Sequence, residues 1–324
     1  MIEEIMHDFY RIQIPLPLLE LQSVNCYVIK GPERNLMIDT GMDDHACKQA
    51  IESALKEREI DLKQTDFFIT HCHIDHFGLV ASLIRNGSTV YINRLEADII
   101  RRVRSGAIVS DWTTFIVVSG FPENKIENIF PPEGARPYRT ENSLPFLYLE
   151  DGDSLSIGDY HFACVATPGH TNGHMCLYEP QSKVFVAGDH LLNDITPGIH
   201  GFTHGNPLKD YLSSLDKVAT LDIDRVLPGH RGLFKNYRER IMEIRIHHEE
   251  RAREVVSILS EGAMNTYEVA SRMTWDVDCD SWQVFPAQQK FFATAEAFAH
   301  LRYLEEKEVV MGQIKDKRIV YSSK

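Results

Sequence analysis

Four potential metal ligands fall within six positions of one short stretch: His71, His73, Asp75 and His76. Ahead of them runs Asp66-Phe67-Phe68-Ile69-Thr70, short, apolar and aromatic, which reads as a buried strand. Behind them, Phe77 to Arg85 carries apolar residues at helical spacing and reads as a helix. The ligands therefore sit where a strand gives way to a helix. In extended chain, residues i and i+2 point the same way, so His71 and His73 can converge on one ion. Asp75 and His76 come after the chain turns and can face a second ion beside the first. One histidine near a strand end is usually a satisfied polar residue. Three histidines and an aspartate between apolar elements compete for partners unless a cation gathers them. Cys72, at the intervening position, turns away and reads as a packing residue.

Such a cluster needs ligands from farther along the chain, and they are present. Phe162-Ala163-Cys164-Val165 leads into Ala166-Thr167-Pro168-Gly169-His170-Thr171-Asn172-Gly173-His174. Lys183-Val184-Phe185-Val186-Ala187-Gly188 ends on Asp189 and His190, and Asp224-Arg225-Val226-Leu227-Pro228-Gly229 ends on His230. Each segment repeats one grammar: a buried strand, small or turn-forming residues, then a ligand type. Glycine beside a ligand lets the backbone approach an ion closely.

With these residues in this order, the chain resembles the metallo-β-lactamase superfamily. The resemblance implies a mixed α/β (α+β) fold, a four-layer αββα sandwich with the site where strand ends meet. It implies that His71, His73 and His170 hold one divalent ion, that Asp75, His76 and His230 hold another, and that Asp189 bridges the two. Zinc suits the histidine-rich side, and the carboxylates also permit iron or manganese. A hydroxide between the two ions would be the nucleophile, with Asp75 as the catalytic residue that orients it. Asp39, after the apolar run Leu36-Met37-Ile38, resembles the family's aspartate that steadies a ligand from behind. Its alternative role is the N-cap of a helix over residues 43–59. His174 and His190 adjoin ligands and are candidates for supporting a ligand or bonding substrate, with a structural or solvated role as the alternative.

At 324 residues the chain exceeds one typical domain, which predicts a large catalytic domain over 1–235 and a smaller one over 236–324. Residues 105–140 interrupt the alternation of strands and helices with Trp112, Phe115, Phe121, Pro131, Pro132 and Pro137, and read as an inserted cap. Arg101, Arg102 and Arg104 at its base are either an anchor for an anionic substrate tail or a solvated helix face. The C-terminal part predicts helices over Tyr237–Leu259, Thr266–Met273 with Thr266 as N-cap, and Pro286–Glu306. A hairpin of Glu308–Met311 with Arg318–Tyr321 follows. This resembles the winged helix that a subset of the family carries. Its 13 Lys/Arg against 15 Asp/Glu, in a chain of net charge −13, favour packing or dimerisation over DNA binding. Asp276, Asp278 and Asp280 imitate the start of a calcium loop, but Ser281 and Ala287 stand where it needs Gly and Glu.

The expected function is a metal-dependent hydrolase of a thioester or similar acyl substrate, as in the glyoxalase II and acyl-thioesterase branches. A phosphodiesterase or ribonuclease is the alternative, and a non-enzymatic DNA-binding regulator the third reading. The expected partner is a small-molecule or acyl-carrier substrate, with no nucleic acid and no membrane, and with a homodimer compatible. The acidic start Met1-Ile2-Glu3-Glu4 is unlike a signal peptide. No run approaches 18 apolar residues. The six cysteines include no CxxC pair, which fits reduced thiols in a cytoplasmic protein.

Overall fold

The computed structural model describes residues 2–16, 21–122, 144–202, 205–277, 279 and 281–324. Pro131, Pro132 and Pro137 of the expected cap, and Asp278 and Asp280 of the rejected calcium loop, lie outside the described residues. The chain divides into two compact units, the first of Met1–Arg104, Pro137–Pro197 and Ser214–Ile241, the second of Ser105–Arg136, Gly198–Ser213 and Met242–Lys324.

The first unit holds two sheets. One has seven strands in sequence order: β1 (Ile2–Met6), β2 (Phe9–Pro15), β3 (Ser23–Ile29), β4 (Asn35–Ile38), β5 (Thr65–Ile69), β6 (Val90–Ile92) and β7 (Phe146–Tyr148). Pairing is antiparallel as far as β4 and parallel from β4 to β7. The parallel steps require crossovers, supplied by α1 (His45–Glu57), α2 (Ile74–Phe77), α3 (Val80–Leu83) and α4 (Arg94–Ser105). The second sheet runs β12 (Arg225–Pro228), β11 (Val184–Gly188), β10 (Met175–Glu179), β9 (Tyr160–Ala166) and β8 (Ser154–Ile157). Only β11 and β12 pair in parallel there.

Period-two alternation sorts the side chains. Ile12, Val24, Cys26, Val28, Met37, Phe67 and Ile69 pack with Ile51, Leu55 and Leu83 of the helices. The neighbours Phe9, Tyr27, Ile29, Ile38 and Phe68 pack with Phe162, Leu177, Val184 and Leu227 of the other sheet. Both faces of the central strands are thus covered, which explains why β3 to β5 read as near-continuous apolar runs. Beyond the second sheet, α6 (Pro207–Ala219) is fastened by Ser214 Oγ to the Pro168 carbonyl and by Lys217 Nζ to the Ala166 carbonyl. This is the αββα sandwich.

The second unit contains α5 (Ile108–Ser119), most of α7 (Tyr237–Leu259), β13 (Met264–Asn265), α8 (Thr266–Ala270), α9 (Ala287–Glu306), β14 (Val310–Lys315) and β15 (Arg318–Ser323). Phe115, Phe121, Val255, Leu259, Phe291, Phe298 and Leu301 form its core.

Several local expectations shift. The helix expected over Phe77–Arg85 begins earlier, at Ile74, and splits at Gly78–Leu79 into two four-residue pieces. The cap of α8 is Asn265, not Thr266: Asn265 Oδ1 accepts from the Glu268 amide, and Glu268 Oε2 accepts from the Asn265 amide. The last hairpin turns at Asp316-Lys317, both left-handed, so β14 runs four residues past Met311. Two left-handed residues match the twist of paired strands, and the hairpin needs no longer loop.

Candidate metal centre

The first unit places its chemistry at the carboxyl ends of strands, where open α/β sheets leave a crevice. Asp39 follows β4, His71 and His73 follow β5, Asp189 and His190 follow β11, and His230 follows β12. His170 and His174 lie in the connection from β9 to β10. His73 is the N-cap of α2 but makes no capping bond with its side chain, and Asp75 and His76 lie in that helix.

Three donor groups form. His71, His73 and His170 make one; Asp75, His76 and His230 make another; Asp189 joins His71 and His76 in a third. His71 Nε2 and His170 Nε2 each stand 3.0 Å from His73 Nδ1. His76 Nε2 and His230 Nε2 are 3.3 Å apart, and Asp75 Oδ2 is 3.4 Å from His230 Nε2. Asp189 reaches both groups: Oδ2 lies 3.7 Å from His170 Nε2 and 3.4 Å from His230 Nε2, and Oδ1 lies 3.5 Å from His76 Nε2. Nitrogens bound at zinc's usual ~2.0–2.1 Å in a tetrahedron stand about 3.4 Å apart, so the spacing fits a shared cation.

The far sides of the rings decide which nitrogens are free to bind. Thr70 Oγ1 donates to Asp39 Oδ2 (2.8 Å), so it can only accept from His71 Nδ1 (2.9 Å). His76 Nδ1 donates to Asp39 Oδ2 (2.8 Å), and His230 Nδ1 donates to the Ser23 carbonyl (2.8 Å). The Nε2 atoms of all three rings therefore face the cluster. Asp39 can hold these partners because its backbone is left-handed (φ 56°), a conformation aspartate tolerates. It also accepts from the Thr70 amide (2.9 Å). The N-cap of α1 is Asp44 instead.

His174 is fully buried. Its Nδ1 faces Thr167 Oγ1 (2.8 Å), and its Nε2 accepts from the Asp189 amide (3.1 Å), so it aims the peptide that carries Asp189. His190 is also fully buried, with its ring centroid 6.2 Å from that of His174.

The two groups differ electrostatically. Burial, with His76 and His73 adding to it, holds His71 well below its ordinary pKa. Burial and His170 bring His73 down to about 3. In the other group burial also opposes charge on the rings, but carboxylates prevail. Asp189 and Asp75 raise His230 to about 10, and Asp189, Asp39 and Asp75 push His76 well above its ordinary value. Burial would raise Asp75, yet His76 and His230 bring it down to about 2. At neutral pH a cation entering this second group must displace protons.

The tight backbone has a visible cause at Gly229, where an added Cβ would collide with the Asp189 carboxylate and stand 2.8 Å from His76 Cε1. Strand β3 grips the same loop. Asn25 Nδ2 donates to the Pro228 and Arg231 carbonyls (2.9 Å each), and Tyr27 Oη donates to the Pro228 carbonyl (2.7 Å). Sequence reading singled out neither of these, nor Thr70, nor Glu96, whose carboxylate accepts from two amides inside the ligand loops. Cys72 is buried, as a packing residue should be. Burial and the Glu96 carboxylate push its thiol well above the usual range.

A family model described as the metallo-beta-lactamase superfamily matches residues 19–230. A metallo-beta-lactamase family protein from Thermus thermophilus, known from a crystal structure, superposes with a TM-score of 0.83 at 28% identity, covering 99% of this chain and 100% of that one. An acyl-coenzyme A thioesterase of Homo sapiens is 26% identical over 220 residues, 65% of this chain and 74% of that protein. An atrochrysone carboxyl ACP thioesterase of Aspergillus fumigatus is 23% identical over 241 residues, 74% of this chain and 61% of that protein.

Proposed function

The chain belongs to the metallo-beta-lactamase superfamily and is a hydrolase, and from that premise we propose that it cleaves acyl thioesters at a two-metal centre. The observation that carries the metal reading is the sharing of Asp189 between two donor groups, with the Nε2 atoms of His71, His76 and His230 turned inward. His71, His73 and His170 would hold one ion, Asp75, His76 and His230 the other, and Asp189 both. The imidazole-rich first group favours zinc. Bound divalent cations supply Lewis acidity, polarising a carbonyl and bringing water toward a pKa of about 7. Asp75 stays ionised at neutral pH and is the carboxylate that accepts a proton from attacking water or fixes its direction. Asp39 and Thr70 keep His76 and His71 in the binding tautomer, and His174 holds Asp189.

Support for a thioester comes from the relatives, two of which are named for hydrolysis of acyl groups carried on coenzyme A or a carrier protein. The order α7, β13, α8, α9, β14, β15 supports a winged-helix-like C-terminal module following a catalytic part over 1–235. Its balanced charge supports a role in packing or dimerisation. No helix among the described residues is long and apolar enough to cross a membrane. The cysteines are all free thiols, which supports a reducing, cytoplasmic setting.

The test is direct. Purified protein is offered short- and long-chain acyl-coenzyme A and a single-stranded RNA, before and after chelation. Thioester turnover that chelation abolishes and zinc restores is expected. RNA cleavage without thioester turnover would overturn the substrate reading.

A further inference from the structure

One buried carboxylate lies between the ligand loops without belonging to any donor group. Glu96 stands in the first turn of α4, whose start is capped by Asn93 Oδ1 accepting from the Leu95 amide (2.9 Å). It is fully buried, although glutamate seldom is unless paired. Both its oxygens go to main chain: Oε2 accepts from the Cys72 amide (2.7 Å) and Oε1 from the Gly173 amide (2.6 Å). Cys72 lies between His71 and His73. Gly173 lies between His170 and His174. One side chain thus ties the loop after β5, in the seven-stranded sheet, to the loop after β9, in the five-stranded sheet. Those two loops carry all three imidazoles of the first donor group.

The fit is tight on the far side as well. A Cβ at Gly173 would stand 2.6 Å from Asn93 Oδ1 and 2.9 Å from Glu96 Oε1, and the Asn93 oxygen is already committed to capping α4. A glycine is needed for this peptide to reach the carboxylate. Two bonds from amides, with the start of a helix beside them, hold this buried side chain in place.

We propose that Glu96 is a positioning residue for the three-imidazole group. It sets the separation of His71 and His73 from His170, and so the affinity for the ion held there. The proposal rests on the two-metal reading and deepens it. The helix α4 acts here as a strut whose first turn fastens together two loops from different sheets. Asp75, His76 and His230 receive no such tie from Glu96.

The test is a zinc titration against a chromophoric chelator, with metal-free thermal melting alongside. Glu96→Gln keeps the volume but turns an NH2 toward one of the two amides. It should weaken one of the two binding steps by roughly 10–100-fold, as loss of an outer partner does. Gly173→Ala, which leaves the carboxylate in place but forces it aside, should give the same selective loss. The effect of Glu96→Gln should persist on a His230→Asn background, where the three-imidazole group alone remains, and vanish on a His73→Ala background. Equal effects on both backgrounds, tracking the metal-free melting temperature, would mean general structural support and would overturn the proposal. A wild type that binds two zinc ions while Glu96→Gln matches it overturns the clamp alone. A wild type that binds none overturns the two-metal reading and the clamp together.

Discussion

The two donor groups are built from one loop and differ in kind. Between the end of β5 and the start of α2, alternate positions give His71 and His73 to a cluster completed by His170. Where α2 begins, consecutive helical positions give Asp75 and His76 to a cluster completed by His230. In the first group, burial keeps the His71 and His73 rings unprotonated. The second is rich in carboxylate and holds its rings protonated in the metal-free chain. Affinity in the first should therefore depend on loop spacing, and in the second on charge and pH. A change of strand to helix within six residues produces both.

The largest expected effect breaks the first group. His73→Ala should empty it and abolish turnover, exceeding the roughly 10–100-fold cost of losing an outer partner. A fully active, metal-replete variant would contradict the assignment. Asp189→Asn comes next, since it removes the carboxylate both groups share. Metal content should fall below two ions per chain, and unchanged occupancy would show that the groups do not depend on each other. Asp39→Asn should act unequally. It places an amide NH2 against His76 Nδ1–H directly but reaches His71 only through Thr70. The second group should lose about 10–100-fold in affinity and the first less, as two-step metal titration would read. Equal losses would erase the distinction.

The smallest effect concerns metal-stripped protein. His73 binds its proton less readily folded than unfolded, so its contribution to stability is lost as pH falls from about 6.5 toward 3. His230 binds its proton more readily folded, so its contribution is lost as pH rises from about 6.5 toward 10. Melting temperature should decline on both sides of near-neutral pH, and His230→Asn should flatten the alkaline limb. A wild type with no alkaline decline would contradict the charged character of the second group.

Much of this centre was legible because its chemistry is written locally. A buried strand, a glycine or proline turn and a ligand recur at His170, Asp189 and His230, a buried strand leads straight to His71, and each can be read within ten residues. The partners behind the ligands leave no such trace. Glu96 looks like any acid in the first turn of an amphipathic helix, because the amides it binds are 24 and 77 residues away. Asn25 looks like an interruption in an apolar strand until β3 is seen against the loop around His230. The same limit applied to caps: Thr266 and Asn265 are both good N-caps, and only the paired bonds with Glu268 choose between them. The short strand β1 was missed, being an edge strand with no fully buried residue to mark it.

Anomalous diffraction from crystals of the protein as isolated, collected at metal absorption edges, tests the central claim most directly. The expected result is two peaks per chain, one within bonding distance of His71, His73 and His170 and one of Asp75, His76 and His230, with Asp189 between them. A single peak, or none among these residues, would contradict it.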